Sequence, residues 1–252
     1  MIEKPMNRKP LIAAVLLLSA AFARAELPAD ASVDQVLDAL HQRGQNLKSL
    51  AADVKLAQID NMGDESTRTG TLVLQRAEDG DSKVRVTFNK TQRGKRITDA
   101  RRDFVLDGQA LIDRDWEQKK QTTRIVRQPG EKLDLFKLGE GPFPLPIGQP
   151  KEAVLKEFDV KKATVESPAA GMNHVELTPR EGTPSARKFA SLTVAVRPDG
   201  WPVEVTSSDA NQTSTTIATL SNIRINDAVK ASEFTLEPIG DDWRKIEEAY
   251  RE

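Results

Sequence analysis

In "TLVLQRA" (Thr71 to Ala77), Arg76 follows Leu72 and Leu74 at two-residue steps. Alternate residues of an extended strand share a face, so a guanidinium lies in line with two leucines. Two uses fit a cation placed there. It can snorkel to water at the strand end, or it can stand at the rim of an apolar concavity and hold a covering backbone or a ligand head group. A second charged feature is "NKTQRGKRITDARR" (Asn89 to Arg102), where Lys90, Arg93, Lys95, Arg96, Arg101 and Arg102 outnumber Asp99 and the adjoining Asp103. Such a run fits anionic lipid heads or an acidic partner protein, and equally a solvated hairpin tip. A third is "GPFPLPIGQPKEAVLKEFDV" (Gly141 to Val160). Its spaced prolines favour a stiff extended path without ladder donors, so Phe143, Leu145 and Ile147 are carried across a surface. Val154, Leu155 and Phe158 then fall on one side of a short helical pattern that begins just after Pro150. Residues 141–158 read as a cover over an apolar face, or as a fixed plug that completes a core.

Catalysis finds little footing. The chain has no G-x-S-x-G elbow, P-loop or H-E-x-x-H pattern. It has no cysteine, and His41 and His174 are far apart, so a zinc site or a histidine-based centre would need unusual partners. Each histidine reads as a surface or cap residue. The carboxylates are scattered among lysines as surface charge. Lys and Arg number 37 against 38 Asp and Glu over 252 residues, which gives no global charge for nucleic acid. These features point to a non-enzymatic protein with no cofactor and no metal.

The elements that must position the candidate residues begin after a leader. Lys4, Arg8 and Lys9 precede the apolar run Leu11 to Ala21, and "ARA" (Ala23 to Ala25) follows, which predicts a secretory signal over residues 1–25, cleaved after Ala25. The run is shorter than the roughly 20 residues that span a bilayer. Residues 26–252 then form a single domain, with 33 basic groups left against 37 acidic ones once four and one are removed. Ser32 and Gln35 have capping-box spacing, and Val33, Val36, Leu37, Leu40 and Leu47 recur at helical intervals, predicting one helix of about four to five turns through Leu50. From Leu50 the period is two. Roughly nine or ten short strands follow, with a hairpin signal at Asp107-Gly108, in the manner of an antiparallel sandwich or barrel. Besides the first helix, only Glu152 to Phe158 and a polar stretch around Trp243 to Tyr250 break the run of strands.

This order of pieces resembles the LolA-type periplasmic outer-membrane lipoprotein carriers and their half-barrel relatives. The resemblance is carried by "GTLVLQR" (Gly70 to Arg76), matching G-x-L-x-x-x-R; by "FVLDGQAL" (Phe104 to Leu111), matching V-x-D-G-x-x-L; and by "GPFPLPIG" ahead of a lid helix. "VELTPR", "FASLTVAVRPDGWPVEVTSSD" and "ASEFTLEP" follow the closing strands. Departures are Ala77 where proline is usual, a hairpin after Leu111 whose aromatic character is reduced to Trp116, and the basic insertion. The resemblance implies a mainly β fold: an incomplete, strongly curved antiparallel barrel with helices covering its open concave side. It implies an acylated lipoprotein or lipid cargo, an inner-membrane transporter, an outer-membrane receptor, a monomer and a periplasmic location. Arg76 matches the family's rim arginine, thought to hold the lid.

The physical need for such a carrier is plain. Each CH₂ left in water costs roughly 0.8 kcal/mol, so a 16-carbon chain exposes on the order of 12 kcal/mol. The expected contact set is Leu72, Leu74, Arg76, Val86, Phe88, Phe104, Trp116, Phe143, Leu145, Leu155 and Phe158. The alternative is a lipid-sensing or scaffold module on the same half-barrel.

Overall fold

The computed structural model describes residues 26–76, 82–128, 147–165 and 171–250. The proposed leader, Phe143 and Leu145 lie outside them. Helix α1 (Val33–Gln45) starts at the expected cap: Gln35 N donates to Ser32 Oγ (3.3 Å), and Ser32 N donates to Gln35 Oε1 (2.8 Å). The helix stops at Asn46, short of Leu50. Asn226 explains the stop, because its side chain accepts from Lys48 N (2.7 Å) and Ser49 N (3.3 Å) and donates to Asn46 O (2.9 Å). The turn is thereby satisfied without further helix, and Leu47 reaches the core from it.

Among the described residues twelve strands follow: β1 (Ser49–Asp60), β2 (Glu65–Arg76), β3 (Ser82–Arg93), β4 (Arg96–Asp107), β5 (Ala110–Asp115), β6 (Lys120–Ile125), β7 (Phe158–Lys162), β8 (Asn173–Pro179), β9 (Phe189–Val196), β10 (Pro202–Asp209), β11 (Ser214–Ile225) and β12 (Arg244–Glu248). Helix α2 (Lys151–Glu157) precedes β7. All the strands belong to one open sheet in the order β12-β6-β5-β4-β3-β2-β1-β11-β10-β9-β8-β7. The described pairs are antiparallel except β12 with β6. The strand count exceeds the nine or ten expected, and β7 and β12 account for much of the excess. Neither "FDVKK" nor "RKIEE" has a sustained apolar alternation, so their pairing is a backbone event that side-chain pattern does not announce. "ASEFTLEP" does not close the sheet; Ala231–Phe234 is a single 3₁₀ turn.

One face carries the core. Leu50, Ala52 and Val54 of β1, Leu72 and Leu74 of β2, Val84, Val86 and Phe88 of β3, Val175 and Leu177 of β8, and Leu192 and Val194 of β9 all belong to one buried cluster with Val36, Leu37 and Leu40 of α1. Seven inter-strand steps separate β4 from β8, about 33 Å on a flat sheet. Helices of 13 and 7 residues could not cover that width. The sheet buries this face by curling around them, giving an incomplete barrel with a concave, apolar side.

Gly70 stands where the β2–β3 register shifts, opposite Phe88. A Cβ there would lie 1.8 Å from Thr87 O, and backbone cannot yield as a side-chain tip can. Replacing Gly70 with alanine is expected to cost about 3 kcal/mol, through overpacking at the irregularity. Chemical denaturation checks this; an unchanged midpoint would mean that the ladders shift freely there.

Candidate functional site

The concave face is built on β2–β4 by residues that alternate into register. Leu74 pairs with Val84 and Leu72 with Val86, and Val86 pairs in turn with Phe104. Phe88 and Phe104 meet edge to face with centroids 6.2 Å apart. Leu72, Leu74, Val86, Phe88 and Phe158 are buried, and Phe104 and Leu155 are partly buried against the same cluster. The structure thus brings together seven of the proposed contacts. Phe104 and Leu111 keep partial exposure.

The segment that begins at Ile147 meets α1 at a close backbone junction. Ile147, with no measurable exposure, enters the core. Gly148 next to it, at φ +88°, lies so close to Gly44 of α1 that a Cβ on Gly44 would stand 2.1 Å from Gly148 Cα. Gly148 N donates to Leu40 O (3.0 Å), and Gly148 O accepts from His41 Nδ1 (3.0 Å), which places the proton on that ring nitrogen. Arg76 Nη1 donates to Gly44 O (3.2 Å), at the C-terminal turn where α1 leaves carbonyls to satisfy. The backbone that Arg76 holds here is therefore that of α1. His41, read from sequence as a surface or cap residue, is instead part-buried and tied to Gly148. Pro150 then opens α2, Val154 of which is buried, and Lys151 reaches Asp34 (3.4 Å) and Asp38 (3.8 Å) of α1.

Trp116 is not in the groove. Its indole Nε1 donates to Asp103 Oδ2 (2.7 Å), and Asp103 points to the opposite face from its neighbours Arg102 and Phe104. The strand β5 ends at Asp115, so the aromatic swings to the back of the sheet, where it packs edge to face on Trp243 (5.1 Å) under Arg101. Asp103 is fully buried there and collects Thr87 Oγ1 (2.7 Å), Arg85 (3.0 Å) and Arg101 (3.0 Å) as further donors. Burial alone would push the carboxyl up. The hydrogen bonds from Thr87, Trp116 and Arg85 and the charge of Arg101 outweigh it and hold the carboxyl below its ordinary value. Arginines of this face also grip the C-terminal segment: Arg85 donates to Glu233 O and Thr235 O, and Arg114 to Glu237 O (2.7 Å). Asp103 thus organises the back face rather than a ligand site. A polar residue alternating with Phe104 and Leu106 marked that face in the sequence, but not what would cover it.

No family model matches the chain, and no curated protein matches it. Solved structures do resemble it in fold. An uncharacterized conserved protein from Thermus thermophilus is similar at 11% identity, over 85% of this chain and 98% of that one, with a TM-score of 0.46. A LolA superfamily protein from Nitrosomonas europaea is similar at 11% identity, over 82% of this chain and 98% of that one, with a TM-score of 0.36. The MucA/MucB complex of Pseudomonas aeruginosa includes a chain similar at 13% identity, over 81% of this chain and 60% of that one, with a TM-score of 0.43. At these identities the likeness concerns the fold alone. Among the described residues no helix is long and apolar enough to cross a membrane.

Asp103→Asn should destabilise the protein by about 2 kcal/mol at neutral pH, because Arg85, Arg101 and the Trp116 indole lose a buried anion. The depressed carboxyl contributes stability in full above its unfolded value of about 3.9, and that contribution is lost as pH falls through the lower folded value. The gap between parent and variant should therefore be constant from pH 8 down to about 5 and shrink in stronger acid. A gap that widened on acidification would contradict the assignment.

Proposed function

We propose that residues 26–252 form a periplasmic carrier, exported by the signal at residues 1–25, that holds the acyl chains of lipoproteins or lipids in its concave groove and delivers them to the outer membrane. An inner-membrane donor and an outer-membrane receptor would be its partners. The observation that carries this reading is the manner in which the groove is covered. A wide apolar face is closed by a helix and a short segment that join through Gly44 and Gly148, with hydrogen bonds from Gly148 N, His41 and Arg76 at the seam. Each such bond contributes on the order of 1 kcal/mol net. The remainder of the closure is apolar contact, which an acyl chain replaces in kind.

Reversible transfer follows from that exchange. A chain entering beneath α1 and Ile147 gives up its own exposure while the cover gives up an equivalent contact, so the net cost of opening is small compared with the roughly 12 kcal/mol that a 16-carbon chain exposes in water. Nothing in this cycle requires bond cleavage. The partly buried Phe104 and Leu111 would be among the first apolar residues that an entering chain meets, with Phe143 and Leu145 as further proposed contacts.

Two measurements test the reading. Protein purified from its native compartment should yield acyl-chain molecules by extraction and mass spectrometry, and added lipopeptide should raise its melting temperature. Lipid-free protein indifferent to lipopeptide would defeat the carrier reading in favour of a scaffold. Arg76→Leu should alter transfer of bound lipopeptide to acceptor vesicles several-fold while shifting the melting temperature by only a few degrees. Unaltered transfer in that variant would remove Arg76 from the release step.

A further inference from the structure

The concave face changes character along its strands. On β2 the residues of that face run Leu74, Leu72, Gly70, Arg68, and on β4 they run Leu106, Phe104, Arg102. On β3, Asn89 is left out of both ladders, which shifts the alternation, so that Thr91 pairs with Arg68 and Arg93 with Ser66. The irregularity at Gly70 therefore does more than bend the sheet. It turns a face that would have presented Lys90 into one that gathers Arg68, Thr91 and Arg93.

The result is a cleft of about 460 Å³ on the same face, beyond the apolar cluster, walled by Arg68, Thr91, Arg93, Arg96, Thr98 and Arg102 among others. Asp115 and Glu117 also line it, and Arg102 is held by both oxygens of Asp113 (2.8 and 2.7 Å). Arg101, at its edge, is tied to Asp103 and Glu237. Among the described residues, no carboxylate lies within ion-pair distance of Arg68, Arg93 or Arg96. Burial, and after it the charges of Arg102 and Arg93, hold the Arg68 guanidinium below its ordinary pKa, against the opposing pull of Asp113 and Asp115. Guanidinium forks with threonine hydroxyls beside them suit the several oxygens of a phosphate.

We infer that this cleft binds the phosphate of an anionic amphiphile whose acyl chain lies in the adjoining groove. Four residue steps along β2 separate Leu72 from Arg68, about 13 Å, so one molecule can touch both. The acyl half of the inference rests on the carrier reading, whereas the phosphate half rests on the arginines alone.

Binding of three probes by calorimetry at low salt separates the two halves: a 12-carbon lysophosphatidic acid, the monoacylglycerol of equal length, and inorganic phosphate. The lysophosphatidic acid should bind at least tenfold more tightly than the monoacylglycerol, and the preference should fall as salt rises. Arg68→Gln with Arg96→Gln should abolish the preference and leave monoacylglycerol binding and the melting temperature as in the parent. Equal affinities for the two lipids in the parent, or a preference that survives in the double variant, would overturn the inference. If neither lipid binds, the carrier reading fails by itself. Inorganic phosphate then decides for the cleft: arginine-dependent binding upholds a phosphate site that takes free anions, and no binding overturns it.

Discussion

A sheet of twelve strands that does not close must still remove one whole face from water. Every other feature follows from how that is done here. The two short α-helices among the described residues cannot span a flat sheet of this width, so curvature substitutes for a second layer, and Leu106 on one side comes to share a cluster with Leu177 on the other. Curvature in turn demands places where the ladders give way. Asn89 and Gly70 mark one such place, and Ala51 to Asp53 on β1 mark another. The interior is consequently apolar where helix α1 lies against it and cationic beyond the irregularity, a division set by backbone register and not by separate domains.

The two faces of β3 and β4 are stabilised by opposite means. Val86 and Phe104 are held by packing, while Thr87 and Asp103, one residue away on each strand, are held by a buried anion ringed with donors. The second arrangement is directional and fixes the C-terminal segment through Glu233, Thr235 and Glu237 carbonyls. The first is not directional. The back of these strands is thus held by directional bonds and the front by packing.

Much of this was legible in the sequence where a local period decides the outcome. The capping box at Ser32, the alternation of Leu72, Leu74 and Arg76, the Asp107-Gly108 turn and the helix after Pro150 each depend on neighbours in the chain. What could not be read depends on partners far away. Asn226 ends α1 from 180 residues downstream. Trp116, just past a strand end, has no parity of its own, and its side of the sheet is chosen by Asp103. Asn89 looks like any strand residue until both neighbouring ladders are seen to skip it. The basic run from Asn89 to Arg102, ambiguous between lipid heads, a partner and a solvated tip, resolves into the distal half of the β3–β4 hairpin, with its arginines divided between two faces.

Among the described residues the open barrel ends in two edge strands, β7 and β12, and both are only five residues long. Their sequences, "FDVKK" and "RKIEE", carry charge at most positions. An incoming chain would find too few backbone groups to zip along and would have to strip water from lysines and glutamates to use them. A sheet left open at both sides thus keeps its margins unattractive to other strands, so that an unclosed barrel does not become an invitation to aggregate.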